Sequence, residues 1–364
     1  MTSPTSSDSS DYRSPLLGRP GAAEAQGTDA AVDSAGVAWH YGDPLGEQRA
    51  AHSGLIVVDR SHRKVLRVTG PDAAQFLNNL LSQKLDDAAP GFAAATLDLD
   101  IQGRILHHAD VLRTDDAFYL DLPASQASTF LDFLQKMVFW SQVEVAEADL
   151  AVLTLLGDAA PPAVAAHASR DVPWGGVPRR DLLVERASLA ETVAALESAG
   201  ARLAGLMAFT AERVRALEPE KAADLDDKSI PHEIPSWIGR DDLPGAVHLE
   251  KGCYRGQETV ARVENLGRSP RVLVMLQLDG SAPEDPVPGA EITGPAGGRA
   301  LGRLGTVVHD CDFGPIGLAL VRRNALEGQQ LSIGPTAVMV DPSSLPREKG
   351  EQAGRAAVNR LRGH

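Results

Sequence analysis

Three features of the sequence predict an α+β fold followed by a separate all-β module. Strand-like and helix-like segments mix without regular alternation up to Arg268, which argues against a doubly wound parallel sheet. Beyond Arg268 short apolar runs are divided by Gly- and Pro-rich turns, the pattern of a small β-barrel or sandwich. At 364 residues the chain exceeds the size of one hydrophobic core, so two or three domains are expected.

The elements follow in order. Residues 1–36 are rich in Ser, Asp, Ala and Gly and lack the apolar stretch of a signal peptide; they read as a disordered lead-in. Residues 44–53 read as a helix and residues 55–59 as a short buried strand. Residues 64–69 alternate, with Leu66 and Val68 on one face, as a half-buried strand does. Gly70-Pro71 opens a helix whose Ala73, Phe76, Leu77, Leu80 and Leu81 form one apolar face. Strands are expected at 92–97, 104–112 and 118–122, then a helix at 125–137 and strands at 143–145 and 151–156. Residues 161–174, rich in Ala and Pro, read as a surface connection, with further helices at 189–198 and 210–217. In the last part, residues 272–278, 305–308, 316–321 and 337–340 read as short strands.

Bulk properties exclude several classes. The formal net charge is -14, which opposes a broad grip on nucleic acid, where Lys and Arg must displace counterions. No apolar run approaches the roughly 20 residues that span a bilayer, so a cytoplasmic protein without membrane attachment is expected. Two cysteines, Cys253 and Cys311, make no disulfide framework and are too few to own an iron–sulfur cluster or to suggest a metal site.

Residues 251–262, from Lys251-Gly252-Cys253-Tyr254-Arg255-Gly256-Gln257-Glu258 to Arg262, carry the most information. They fill every fixed position of a K-G-C-Y-x-G-Q-E pattern. The segment resembles the signature of YgfZ-type folate-binding proteins, a family shared with mitochondrial factors that help mature iron–sulfur enzymes. Arg215-Ala216-Leu217-Glu218 resembles the R-x-L-E segment of the glycine-cleavage T-protein superfamily, whose Glu contacts the pterin. Asp224-Leu225-Asp226, Ile230-Pro231-His232-Glu233, the segment from Val68 to Leu77, and Ile316-Gly317-Leu318-Ala319 fit the same family. The resemblance spans about residues 37–340. It implies three domains in a ring: two interleaved α+β domains over 37–268, a β-barrel over 269–340 and tetrahydrofolate in the central opening. Residues 341–364 are expected as a loose tail.

One departure bears on activity. The T-protein pattern has an acidic residue after a Gly-rich turn, where it acts during one-carbon transfer. Here the segment is Gln102-Gly103-Arg104-Ile105-Leu106-His107-His108-Ala109-Asp110. By this alignment His107 stands where the acid is expected, and Asp110 turns inward only if the register slips. Neighbours on a strand face opposite ways, so one of His107 and His108 is a candidate proton carrier at the pocket, beside the plainer reading of an ordinary strand pair of histidines.

The residues suit the implied chemistry, each with a plainer alternative. A carboxylate accepts paired bonds from the amino and ring N–H groups of a pterin, a role for Glu218 that competes with a solvated helix end. Glu233 suits a secondary polar role or a structural loop. Cys253, with Lys251 and Arg255 two residues away on either side, suits a reactive thiolate or a small buried hydrophobe. Lys251 offers a cation near folate or thiol. Tyr254 stacks or packs; Gly252 and Gly256 permit a close turn; Gln257 and Glu258 hold the loop. Arg262 suits the anionic folate tail or solvent. Flanking carboxylates disfavour the thiolate of Cys311. The expected function is a tetrahydrofolate-binding accessory factor for iron–sulfur cluster assembly or repair, with iron–sulfur client proteins as partners. A folate-dependent one-carbon (aminomethyl) transferase and a plain folate binder are the alternatives.

Overall fold

The computed structural model describes residues 12–240, 243–282, 285–326 and 330–346. The chain opens one sheet with β1 (Ile56–Asp59), then leaves it to build a second sheet before returning. That second sheet comprises β2 (Lys64–Thr69), β3 (Ala93–Leu99), β4 (Ile105–Arg113), β5 (Ala117–Leu122) and β6 (Glu144–Ala148) in the order β3-β4-β5-β2-β6. The first sheet resumes with β7 (Leu150–Leu156), β8 (Ala168–Asp171), β9 (Arg179–Glu185) and β10 (Arg202–Ala204), ordered β10-β1-β7-β9-β8. Its β1–β10 pair is parallel and its other pairs antiparallel. The two α+β units are therefore interleaved in sequence.

Helix spacing explains how the second sheet is covered. In α2 (Ala73–Leu80), entered from Pro71, Ala73, Phe76 and Leu77 are buried; in α3 (Ala124–Lys136) Ala127, Phe130 and Leu134 are. These side chains share a core with Leu66, Val68, Val111, Phe118 and Leu120 of the sheet. Each buried Leu or Phe contributes about 1.5–3 kcal/mol. Helices α1 (Pro44–Ser53), α4 (Leu189–Ser198) and α5 (Leu206–Arg215) belong to the first unit; the single turn α6 (Lys221–Asp224) and α7 (Gln257–Leu266) lead toward the barrel.

The barrel is closed in the order β11-β14-β13-β12-β15-β16: β11 (Arg271–Leu278), β12 (Glu291–Gly294), β13 (Gly297–Asp310), β14 (Gly314–Arg322), β15 (Leu331–Ile333) and β16 (Thr336–Val340). Closure leaves no open sheet edge. One apolar core joins all three units, with Val58, Leu97, Phe209, Met275 and Leu318 in a single cluster. A buried polar seam reinforces it, where the Arg213 guanidinium bonds Asp224 and Thr306.

Two expectations need correction. Residues 12–36 are packed, not disordered: Leu16 and Val32 are buried, the Ser14 N–H donates to the Gly36 carbonyl at 2.8 Å and the Tyr12 hydroxyl to Ser61 at 2.6 Å. Their polar composition conceals anchors whose partners lie far along the chain. Within 161–174, β8 pairs with β9 and carries a buried Arg170, so this is not only a surface connection. Residues 1–11 and 347–364 lie outside the described residues. No helix among the described residues is long and apolar enough to cross a membrane.

Candidate functional site

A cavity of about 170 Å³ lies between the two sheets. Ala93, Ala94 and Ala95 on edge strand β3 leave room for it, and Asp110 of β4 reaches it from the neighbouring strand. Trp174 lines it after β8, Trp237 lines it from a short 3-10 turn, and Glu218 enters from the end of α5. Trp174 is stacked on Phe209 at 5.9 Å between ring centres, and Trp237 on His108 at 4.5 Å. Both indoles are thereby braced from behind.

The end of α5 sets the direction of Glu218. The Glu218 N–H donates to the Arg213 carbonyl at 2.8 Å and the Leu217 N–H to the Val214 carbonyl at 3.1 Å. These two bonds make a Schellman end, which requires a left-handed residue at Leu217, normally a glycine. Leu217 adopts it, with φ 57°, at a cost of order 1 kcal/mol. The strain is spent beside the cavity, as is common at functional sites.

Beneath the cavity lies a buried ionic network. Arg63 bonds Asp121 at 2.7 Å and Asp110 at 3.3 Å; Arg170 and Arg179 reach Asp181 at 2.8 and 2.7 Å, and Arg170 also meets Asp121. Arg60 approaches Asp181 at 3.8 Å, and its crowding by burial and by Arg63 and Arg179 pushes it down to about 9. Burial alone would raise Asp110, but the combined pull of Arg170, Arg179 and Arg63 holds it well below the carboxylate range. Glu218 differs. Burial first, and the charge of Asp110 second, push its carboxyl up to about 7 against the pull of Arg179, Arg213 and Arg60. None of the described residues hydrogen-bonds its carboxyl group. Burial pushes His108 down to about 4, so its imidazole is neutral at neutral pH.

The histidine assignment is corrected. His107 does not face the cavity: its Nδ1 bonds Asp98 at 2.8 Å and its Nε2 Thr129 at 3.0 Å, against α3. His108 and Asp110, two residues apart, share the opposite face, and ligand atoms of both lie within 4.8 Å of one on Glu218. Asp110 therefore turns inward with no slip among these residues.

The signature residues form a separate loop. Lys251 is buried, and its Nζ donates to the carbonyls of Asn78, Leu81 and Gln83, closing the end of α2; burial pushes it down to about 8. It is neither a free charge nor a cavity residue. Cys253 is exposed and is not among the residues lining the cavity. Tyr254 is buried beneath the Lys251 ammonium, 4.8 Å from the ring centre. Arg255 pairs with Asp98. Gly256 has φ 83°, and a Cβ there would lie 2.6 Å from the Asp100 carbonyl oxygen, so this glycine is required; at Gly252 a Cβ would meet nothing. The Gln257 amide reaches the Lys251 carbonyl at 3.4 Å. Glu258 and Arg262 pair with each other on the exposed face of α7, and buried Glu233 pairs with Arg271 at 2.7 Å. Of the residues singled out from sequence, Glu218 lines the cavity.

Sequence reasoning passed over Trp174, Trp237 and Arg170, and left His108 as one of two histidines to choose between. Scarcity was the available signal: two of the chain's four tryptophans line this cavity.

Comparison with known proteins agrees with this architecture. Residues 37–182 match the GCVT N-terminal domain and residues 271–347 the CAF17 C-terminal beta-barrel domain. The tRNA-modifying protein YgfZ of Edwardsiella ictaluri is 29% identical over 247 residues, covering 63% of this chain and 72% of that protein. The mitochondrial iron-sulfur cluster assembly factor IBA57 of Mus musculus is 27% identical over 302 residues, covering 73% and 77%. The crystal structure of the glycine cleavage system aminomethyltransferase T from Bartonella henselae superposes with a TM-score of 0.73 at 18% identity, covering 89% of this chain and 94% of that one. The fold is that of the T-protein, and the chain combines a GCVT N-terminal domain with a CAF17-type C-terminal barrel, in the company of YgfZ and IBA57 relatives.

Proposed function

We propose that this protein binds a reduced folate in the cavity between its sheets and supports iron–sulfur cluster assembly or tRNA modification, the tasks for which its relatives are named. The observation that carries the folate reading is Glu218: a half-buried carboxyl group without a hydrogen-bond partner among the described residues, at a cavity walled by Trp174 and Trp237. A pterin offers an adjacent amino group and ring N–H, which one carboxylate accepts together, and a flat face that suits indole walls. The residues present fit the group. Glu218 would hold the ring edge and the two tryptophans its faces. Tetrahydrofolate, when bound, supplies a carrier for one-carbon units. Exposed Cys253 lies outside the cavity lining, so its thiol would act on a partner protein at the surface.

A second reading, aminomethyl transfer, draws on Asp110, which supplies a carboxylate at the cavity where the sequence suggested His107. Complementation separates the two. In a strain lacking the gene, wild type should restore iron–sulfur enzyme activity, and Cys253→Ser and Glu218→Gln should not. Full restoration by Cys253→Ser removes the thiol from the mechanism; restored glycine cleavage would favour the second reading.

A further inference from the structure

We propose that Asp98 is a positioning residue for the Cys253 thiol: it draws the Arg255 guanidinium inward, so that the signature loop holds the thiol outward in one place with its flanking cations turned away. This rests on the reading above that the thiol acts on a partner protein, and it adds what sets the thiol's place and charge surroundings.

The K-G-C-Y-x-G-Q-E pattern leaves position 255 open, and the structure gives Arg255 a partner on β3. Asp98 is buried and both its oxygens are taken: Oδ1 accepts from Arg255 Nη2 at 2.5 Å, and Oδ2 meets His107 Nδ1 at 2.8 Å. The Arg255 guanidinium also lies over the Phe133 ring of α3, 4.6 Å from its centre, a cation–π contact that reinforces the ion pair. The β3–β4 turn meets the start of α7 so closely that a Cβ at Gly103 would lie 2.8 Å from the Thr259 Cβ. One end of the loop is thus tied to the second sheet and its helix.

The other end is tied by Lys251 to the carbonyls near the end of α2. Between these anchors Tyr254 is buried, while Gly252 and Cys253 are exposed. Two fixed ends and a buried ring leave the thiol and the glycine before it as the free part of the span. A partner then meets a thiol whose ordering cost is already met. Both cations flanking Cys253 are committed to other groups, and a cation beside a thiol is what raises its thiolate fraction.

The test compares alkylation of Cys253 by anionic iodoacetate and neutral iodoacetamide on the full chain, read on its peptide by mass spectrometry. The ratio of the two rates reports charge at the thiol; a loosened loop raises both rates alike. Arg255→Gln should leave the ratio within about 1.5-fold of wild type, because the guanidinium is already held away. Asp98→Asn frees Arg255 and should raise the ratio about threefold or more at low salt, a rise that adding Arg255→Gln removes. A ratio that falls about threefold in Arg255→Gln alone places the guanidinium at the thiol and overturns the inference, whether or not Asp98→Asn folds. A folded Asp98→Asn with the wild-type ratio overturns it too. In the deletion strain, Arg255→Gln should restore about threefold less iron–sulfur enzyme activity than wild type, and Arg255→Lys, which keeps a cation for Asp98, should recover part of the loss. Full restoration by Arg255→Gln overturns the positioning role and leaves the folate and thiol readings standing. Full restoration by Cys253→Ser overturns the thiol reading and this inference with it.

Discussion

Asp110 and Glu218 bring carboxyl oxygens within 4.8 Å of each other at the cavity, yet they titrate in opposite directions. Asp110 is held ionised by Arg170, Arg179 and Arg63, and that fixed negative charge, added to burial, pushes Glu218 up to about 7, so that it keeps its proton below that pH. The ligand-free site is thus built around a carboxyl group poised to ionise when donors arrive.

This arrangement carries a stability cost that depends on pH. The folded value of about 7 for Glu218 lies above the ordinary 4.5, so between these limits the folded state keeps a proton the unfolded chain has lost. Its favourable contribution is complete below pH 4.5 and is lost as pH rises through 7. Ligand-free Glu218→Gln should therefore exceed wild type in stability at pH 8 by about 1–3 kcal/mol, with the gap shrinking toward pH 5. Urea denaturation at both pH values measures this; a gap independent of pH would contradict it.

Lys251 is expected to act on the fold. Lys251→Met leaves three backbone carbonyls near the end of α2 without their donor and should lower stability by about 2–4 kcal/mol. The urea midpoint reports this, and a variant as stable as wild type would return Lys251 to the list of chemical residues.

The two thiols should differ in reactivity. Cys253 is exposed, whereas burial and then Asp310 and Asp312 push the Cys311 thiol up. Iodoacetamide at pH 7.5 should label Cys253 about tenfold faster or more, since the thiolate is the reacting species. Peptide mapping by mass spectrometry decides it, and equal labelling rates would count against this contrast.

The adjacent histidines should separate cleanly. His108→Ala removes the ring behind Trp237 and should weaken tetrahydrofolate binding by about fivefold or more, on the scale of an aromatic pair near 1 kcal/mol. His107→Ala breaks bonds to Asp98 and Thr129 and should leave affinity within about twofold. The reverse pattern would place the wrong face of β4 toward the ligand.

Much of the fold was legible because periodicity is local. The helix at Pro44–Ser53, the strand at Lys64–Thr69 and the helix at Leu189–Ser198 match their sequence signals end to end. Strand β9 was missed because Arg179, Arg180 and Asp181 look solvent-facing, while Arg179 and Asp181 are buried in the ionic network. That network joins residues from Arg60 to Asp181, and nothing in a local window reveals such partners. Glu218 was legible through its motif. Asp110 was not, because an alignment one residue out of phase exchanges the two faces of a strand.

The most direct test is calorimetric titration of tetrahydrofolate into wild type and Glu218→Gln at pH 7.5. The account predicts saturable binding to wild type and an affinity about tenfold lower or worse for the variant, the loss of a charge-assisted pair of bonds. Equal affinities, or no binding to wild type at millimolar ligand, would contradict it.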